Sequence, residues 1–366
     1  MRPLIYFSVV LFRLFYGALF ADTLSSIQLP PGFSISIFAE GLDKPREMAL
    51  GNKGTVFVGS MDDKVYALTF DPHSPQKAKE KYIMAQNLNT PNGVAFVGED
   101  LFIAEISQID KLAAIESNLT HPTKLQIVNA TYPKDEQHGW KYIALGPDGW
   151  LYIPIGAPCN VCKPKDPYAT ITRMKLDGSK KEIYARGIRN TVGFDWDPLT
   201  KQLWFTDNGR DMLGDNTPPD ELNHAPKAGM NFGYPYCHGK SVSDPEFGKE
   251  HSCSEFTPPA IELGPHVASL GMLFYQGKIF PAEYQNQIFI AEHGSWNRTR
   301  PIGYRVSLVK LDSKRNPTNY SVFASGWLSP DEKVSGRPVA LLMLPDGSLL
   351  VSDDYGGRIY RITYSK

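Results

Sequence analysis

Three groups of side chains in this sequence have the types and spacing to do chemistry. The first is His138, in Asp135-Glu136-Gln137-His138-Gly139-Trp140-Lys141-Tyr142. An imidazole is the commonest proton acceptor near neutral pH, and Asp135, Glu136 and Gln137 are available to orient it. The second is Arg189-Asn190 together with Arg337. Planar guanidinium forks and an amide suit a carboxylated ligand or a developing oxyanion. The third is Asp207-Asn208-Gly209-Arg210-Asp211, followed by Asp215, Asp220, Glu221 and Asn223. Hard cations such as calcium take carboxylate, amide and backbone carbonyl oxygens, and a Gly-containing turn lets carbonyls point inward. The spacing is not that of an EF-hand. Each group also has an ordinary alternative: a surface histidine, an ion pair between repeats, or a solvated acidic loop.

The elements that must position these residues are repeats. Six copies of one unit recur, beginning at Arg46, Asn92, Trp140, Asn190, near Ser269 and at Arg337. Each reads as an apolar strand, a turn, and a second strand ending in small or acidic residues. Some continue into a third strand, such as Lys64–Leu68 or Arg358–Ile362. The clearest copy follows His138, where Pro147-Asp148-Gly149 has the residues of a tight turn between strands. The early units start about 46 to 48 residues apart, a propeller-like period, and insertions such as 218–259 stretch the later ones. Short strands that cannot bury their own faces predict an all-β, six-bladed β-propeller. Loops leaving the inner strands of a propeller gather at one end of its channel. His138, Arg189-Asn190, Asp207 to Arg210, His266, Glu292-His293 and Arg337 each flank a repeat strand, so they are expected to converge there.

The whole chain is consistent with this. Its 366 residues can bury a substantial core, and a formal net charge of −1 disfavours nucleic acid as a partner. Residues 1–21 combine a basic start with an apolar run interrupted by Arg13, which predicts an export signal or an uncleaved N-terminal anchor. Residues 22–366 are expected to form one propeller domain, in a secreted, periplasmic or extracellular protein. Four cysteines, Cys159, Cys162, Cys237 and Cys253, suit two disulfides in such a compartment, with local pairing the simplest arrangement. Cys159-x-x-Cys162 is also compatible with redox exchange or zinc. Lys163 follows Cys162, so the pair is not a haem-attachment motif. Sequons stand at Asn118, Asn129, Asn297 and Asn319.

At these residues the chain resembles the pyrroloquinoline quinone (PQQ)-dependent sugar dehydrogenases, in particular the sorbosone dehydrogenase branch of the soluble glucose and aldose sugar dehydrogenases. The likeness rests on His138-Gly139-Trp140-Lys141-Tyr142, Gly156-Ala157-Pro158-Cys159-Asn160-Val161-Cys162, Tyr184-Ala185-Arg186-Gly187-Ile188-Arg189-Asn190 and Phe205-Thr206-Asp207-Asn208-Gly209-Arg210-Asp211. It continues in Pro219-Asp220-Glu221-Leu222-Asn223, Asn231-Phe232-Gly233-Tyr234-Pro235-Tyr236-Cys237-His238 and Ala291-Glu292-His293-Gly294-Ser295-Trp296-Asn297-Arg298. The resemblance implies a six-bladed propeller with PQQ at one end of the channel. It implies that His138 takes the sugar hydroxyl proton while hydride passes to the quinone. Arg189 and Asn190 would bind the quinone oxygens, and Gly209 and Arg210 would give carbonyls to Ca2+, with Asp220 and Glu221 supporting that loop. Arg337 would pair with a cofactor carboxylate, and His266 and His293 would line the pocket. Two positions depart from relatives. Ser335 stands where some relatives carry a second arginine, so carboxylate binding is either weaker or uses another residue such as Arg298, and Gln137 stands where others have an acidic residue before the histidine.

The expectation is therefore a PQQ- and calcium-dependent dehydrogenase acting on the aldehyde or hemiacetal carbon of a sugar. It would pass electrons to an external cytochrome or quinone, since the chain has no haem motif. Two alternatives remain at this point: a calcium-dependent lactonase-type propeller, which has no need of Arg189 and Arg337, and a non-catalytic propeller that binds a glycan or protein.

Overall fold

Alternating short strands and tight turns build six antiparallel sheets in the computed structural model, which describes residues 24–365. The segment 1–21, read as a signal or anchor, lies outside the described residues. Each sheet is a blade of four strands, with a fifth at the edge of blade three, and the blades stand in chain order around one axis. Blade one runs Pro45–Leu50, Thr55–Ser60, Val65–Thr69 and Glu80–Ala85. Blade two begins with Gly93–Val97, blade three with Ala144–Leu145, blade four with Phe194–Trp196 and blade five with Ser269–Phe274. Blade six combines Pro338–Met343, Leu349–Asp353 and Arg358–Tyr364 with the N-terminal strand Phe33–Glu40. That strand pairs antiparallel with the last one, Phe33 opposite Tyr364, and so closes the ring. Phe33 fixes the closure edge-on against Phe280, Tyr284, Phe323 and Tyr364. A propeller closed this way leaves only short outer edges for unwanted pairing.

The six repeat units expected from the sequence are these six blades, with a fourth, more polar outer strand added to each. The second strands are buried on both faces, as Val56, Phe57 and Val58 show in blade one. Neighbouring blades stack through these faces; Phe57 of blade one lies parallel to Phe96 of blade two at 5.6 Å. Burying such a side chain contributes about 1.5–3 kcal/mol. Near the axis the inner strands approach so closely that a Cβ on Gly193 would lie 2.2 Å from the carbonyl of Leu270.

The acidic residue that ends several second strands has a structural cause. Asp207 accepts the backbone N–H groups of Arg189 and Asn190, and Asp353 accepts that of Arg337. A carboxylate there binds amides at the start of the inner strand that its own ladder leaves unpaired. In blades four and six the arrangement holds Arg189, Asn190 and Arg337 at the channel end.

The 218–259 stretch is only partly an insertion. Pro219–Ala225 is the third strand of blade four, and Met230–Asn231 adds a parallel edge to blade three. Beyond it lie a two-stranded ribbon, Cys237–His238 with Val242–Ser243, and the Cys237–Cys253 disulfide. The other disulfide joins Cys159 to Cys162. Both pairings are local. No helix of the described residues is long and apolar enough to cross a membrane.

Candidate active site

Loops from blades one, three, four, five and six enclose a cavity of about 390 Å³ at one end of the channel. Its wall includes His138, Arg189, Asn190, Gly209, Asp220, His266, His293 and Arg337. Residues spread over two hundred positions therefore meet at one opening, as the repeat argument required, with the exception of Glu292, which stays inside blade five and accepts from Arg305 and Tyr320 because its side chain points into the blade.

His138 sits in the loop before blade three with φ of 53°. Its Nδ1 lies 2.8 Å from the carbonyl oxygen of Ala157. A carbonyl only accepts, so Nδ1 carries the proton and Nε2 keeps a lone pair. Burial pushes the imidazole pKa down to about 3, and the nearby Arg189 charge adds to the effect. The ring is thus neutral and pre-set as a proton acceptor. Its seat requires Gly156, where a Cβ would lie 2.5 Å from the His138 Cβ. The acidic neighbours do not orient it: Gln137 is exposed, and Asp135 binds the Tyr168 hydroxyl. Orientation comes instead from a carbonyl on the next turn of the same blade.

Arg189 is almost fully buried and its guanidinium is held on all sides. Nε donates to the Asn160 carbonyl at 2.9 Å, Nη1 to the Asn208 carbonyl at 3.2 Å, and Nη2 to Asn160 Oδ1 at 3.0 Å and Asp211 Oδ2 at 2.9 Å. Beside it, the side-chain amide of Asn190 lines the cavity with no partner among the described residues. Arg337 donates to the carbonyls of His293 and Gly294 and has no carboxylate partner among the described residues.

His293 is built differently from His138. Its Nε2 faces both oxygens of Asp354, at 2.9 and 3.0 Å, and Asp354 also takes Arg46 Nη1 at 2.7 Å. Burial pushes His293 down to about 4 against the pull of that carboxylate. Asp354 is held well below the usual range by His293 and Arg46 despite its own burial. His266 donates from Nε2 toward the carbonyls of Gly214 and Thr217 and so ties down the 211–217 loop.

In the 207–211 turn, Gly209 donates its N–H to Asp220 Oδ1 at 2.9 Å, and Ser269 donates to Oδ2 at 3.2 Å. Burial raises Asp220 to about 6. Glu221 faces away from the cavity, accepting from Gly239 and Asn223, and burial raises it to about 8. The Arg210 side chain also turns away, to Asp244 at 2.5 Å and Glu246 at 3.2 Å, leaving only its backbone for the turn. Among the described residues no three His, Cys, Asp or Glu side chains form a metal-holding group. Arg298 donates to the Asp215 carbonyl and stands outside the cavity wall.

Arg46, Asp354, Lys44 and Asn160 line or brace the site without having been expected there, and Asp211, expected in a cation loop, instead pairs with Arg189. A signal for Lys44 was present. The inner strands of blades one and six share one register, Pro45 opposite Ser60 and Met48 opposite Val58 in the first, Pro338 opposite Asp353 and Leu341 opposite Val351 in the last. Lys44 thus holds in blade one the place that Arg337 holds in blade six. Asn92 links blades one to three through both ends of its amide, accepting from Arg46 Nε and donating to the Lys141 carbonyl. Asn160 had no such signal, because it lies in a loop outside the repeat, and nothing in the acidic turn pointed to Asp211 as the partner of Arg189.

Comparison with known proteins places this geometry. A family model described as TrAA12-like matches residues 167–365. An uncharacterized protein of Borreliella burgdorferi is 38% identical over 356 residues, covering 93% of this chain and 92% of that protein. A PQQ-dependent pyranose dehydrogenase of Coprinopsis cinerea is 33% identical over 131 residues, 28% of this chain and 16% of that protein. Among solved structures, the iodide structure of the Trichoderma reesei carbohydrate-active enzyme of family AA12 superposes with a TM-score of 0.81. It shares 19% identity and covers 93% of this chain and 98% of that one.

Proposed function

The chain belongs to the TrAA12-like family, and on that premise we propose that it is a PQQ- and calcium-dependent dehydrogenase of sugars. The proposed reaction oxidises the aldehyde or hemiacetal carbon of an aldose- or sorbosone-like substrate. The observation that carries this reading is His138. Its Nδ1 is committed to the Ala157 carbonyl and its Nε2 is left as a lone pair, on one cavity wall with a buried arginine and an unpartnered amide.

The side chains present fit the cofactor. PQQ is a tricarboxylic ortho-quinone, and the cavity offers Arg337 without a carboxylate, Arg46 and the exposed Lys44. Arg46 is better placed than Arg298 to serve in place of the arginine missing at Ser335, because it lines the cavity. Arg189 and Asn190 would hold the quinone oxygens, and the carbonyls of Gly209 and Arg210 would hold calcium. With no side-chain cluster for a metal among the described residues, that ion would depend on carbonyls and on the cofactor's own oxygens. When bound, PQQ supplies the two-electron acceptor for hydride.

His138 Nε2 takes the hydroxyl proton of the substrate, and its low pKa keeps it deprotonated beforehand. Arg189 stabilises negative charge from a fixed position, since its contacts to Asn160, Asn208 and Asp211 already set its orientation. His266 and His293 brace the wall. Electrons leave to an external cytochrome or quinone. Export is supported by the two disulfides and by the composition of residues 1–21. The side-chain metal centre of a lactonase-type propeller has no donor cluster among the described residues.

The test is to mix purified apo-protein with calcium and PQQ and follow dye reduction across a panel of aldoses and aldehydes. Cofactor absorbance should change on mixing, and dye reduction should follow with at least one sugar. An unchanged cofactor spectrum overturns the assignment.

A further inference from the structure

The Cys159–Cys162 disulfide lies within reach of the cavity without touching it, and the proposed reaction does not use it. Between its two cysteines stands Asn160, which makes four hydrogen bonds to Arg189 and Asp211. Its carbonyl accepts Arg189 Nε at 2.9 Å and its Oδ1 accepts Arg189 Nη2 at 3.0 Å. The same Oδ1 accepts the Asp211 N–H at 2.8 Å, and its Nδ2 donates to the Asp211 carbonyl at 3.1 Å. Asn160 therefore binds two edges of the guanidinium and both backbone groups of the residue whose carboxylate completes the arginine's grip.

A four-residue loop does not hold such a geometry by itself. The disulfide closes the loop at Cα atoms 6.2 Å apart. From below, Tyr234 braces it: the hydroxyl accepts the Cys162 N–H at 3.1 Å and lies 3.5 Å from the Asn160 carbonyl. Ala157, Ala169 and the Tyr234 ring form a small apolar cluster under Cys159 and Val161. Both cysteines are only half-buried, so a reductant can reach them.

We propose that Asn160 is a positioning residue that sets the Arg189 guanidinium, and that the Cys159–Cys162 disulfide locks Asn160 in place, making the site sensitive to dithiol reductants. In the exchange, a dithiol attacks one sulfur and is itself oxidised to a disulfide. Two electrons and two protons pass to the pair, which becomes two thiols. The freed loop gains conformational entropy, and Arg189 loses the partner that fixes two of its three nitrogens. The cofactor consequence rests on the proposed function; the geometry of Arg189 does not.

Two readouts separate these. In apo-protein, phenylglyoxal labelling followed by peptide mass mapping reports whether Arg189 is held. Arg189 should be protected in the wild type and become reactive in N160A, in C159S/C162S and in wild type treated with dithiothreitol. N160D retains the Oδ acceptor and should restore most of the protection, which a general loss of packing would not allow. By fluorescence titration, N160A and C159S/C162S should bind PQQ about 10- to 100-fold more weakly than wild type. Dithiothreitol should weaken wild type but add nothing to C159S/C162S, which separates this pair from Cys237–Cys253. Arg189 that stays protected in both N160A and C159S/C162S overturns the proposal. A wild type that binds no PQQ overturns the function while the labelling still decides the clamp.

Discussion

His138 and His293 face the same cavity from blades three and five, yet they are held by opposite means. The partner of His138 is a neutral carbonyl, which fixes the tautomer and leaves Nε2 free. The partner of His293 is a carboxylate, shared with Arg46 in a buried three-membered network. A carbonyl partner fixes the tautomer without supplying a charge, so burial and Arg189 keep the ring neutral and able to accept a proton, whereas a carboxylate partner binds the ring into the scaffold through charge. Arg189 and Arg337 repeat the contrast. Arg189 is neutralised by Asp211, whereas Arg337 donates to two carbonyls, lies over the Tyr304 ring and has no carboxylate partner among the described residues, so its charge is available to an anionic ligand. The cavity thus has a reactive side and an electrostatic side.

The largest expected effect breaks the histidine comparison directly. His138→Ala should lower kcat about 1,000-fold with little change in PQQ affinity, whereas His293→Ala should weaken PQQ binding and stability more than it lowers kcat. Steady-state kinetics beside fluorescence titration decide this, and equal kcat losses would erase the distinction. Gly156→Ala leaves the imidazole in place chemically but pushes on its Cβ, so turnover should fall about 100-fold in a folded protein. The two cavity arginines come next. Arg46→Ala strands Asp354 in the interior and should cost about 3 kcal/mol of stability, seen in chemical denaturation. Arg337→Ala should leave stability nearly unchanged while raising the PQQ dissociation constant about tenfold.

The smallest effect is a pH dependence. Both histidines have folded pKa values below the ordinary 6.5, so the unfolded chain takes up protons first as pH falls. Their contribution to stability is complete above about pH 6.5. It declines below that until the folded rings protonate, near 4 for His293 and near 3 for His138. Denaturation midpoints between pH 7 and 4 should fall less steeply in His138→Gln and His293→Gln than in wild type.

The propeller was legible because its cause is local. Alternating apolar residues, turns such as Pro147-Asp148-Gly149 and strand-ending acids recur in each unit, and strands of that length must stack to bury both faces. Convergence of the loops then brought His138, Arg189, Asn190, His266, His293 and Arg337 to one opening. Lys44 was legible in principle, since it occupies the Arg337 position of the first repeat. Asn160, and the pairing of Asp211 with Arg189, were not, because those contacts come from loops of other blades, and loop direction follows from packing rather than from repeat position.

The sequence by itself determined the blade count, the closed all-β architecture and the residue types at the channel end, since these follow from periodicity and turn chemistry. Tertiary structure alone decided which groups are free to act. It gave His138 a carbonyl and His293 a carboxylate, turned Glu221 and the Arg210 side chain away, and set Arg189 through a disulfide-closed loop. Such choices depend on distances between blades, and hydrogen bonding and burial act on those distances, which no local pattern encodes.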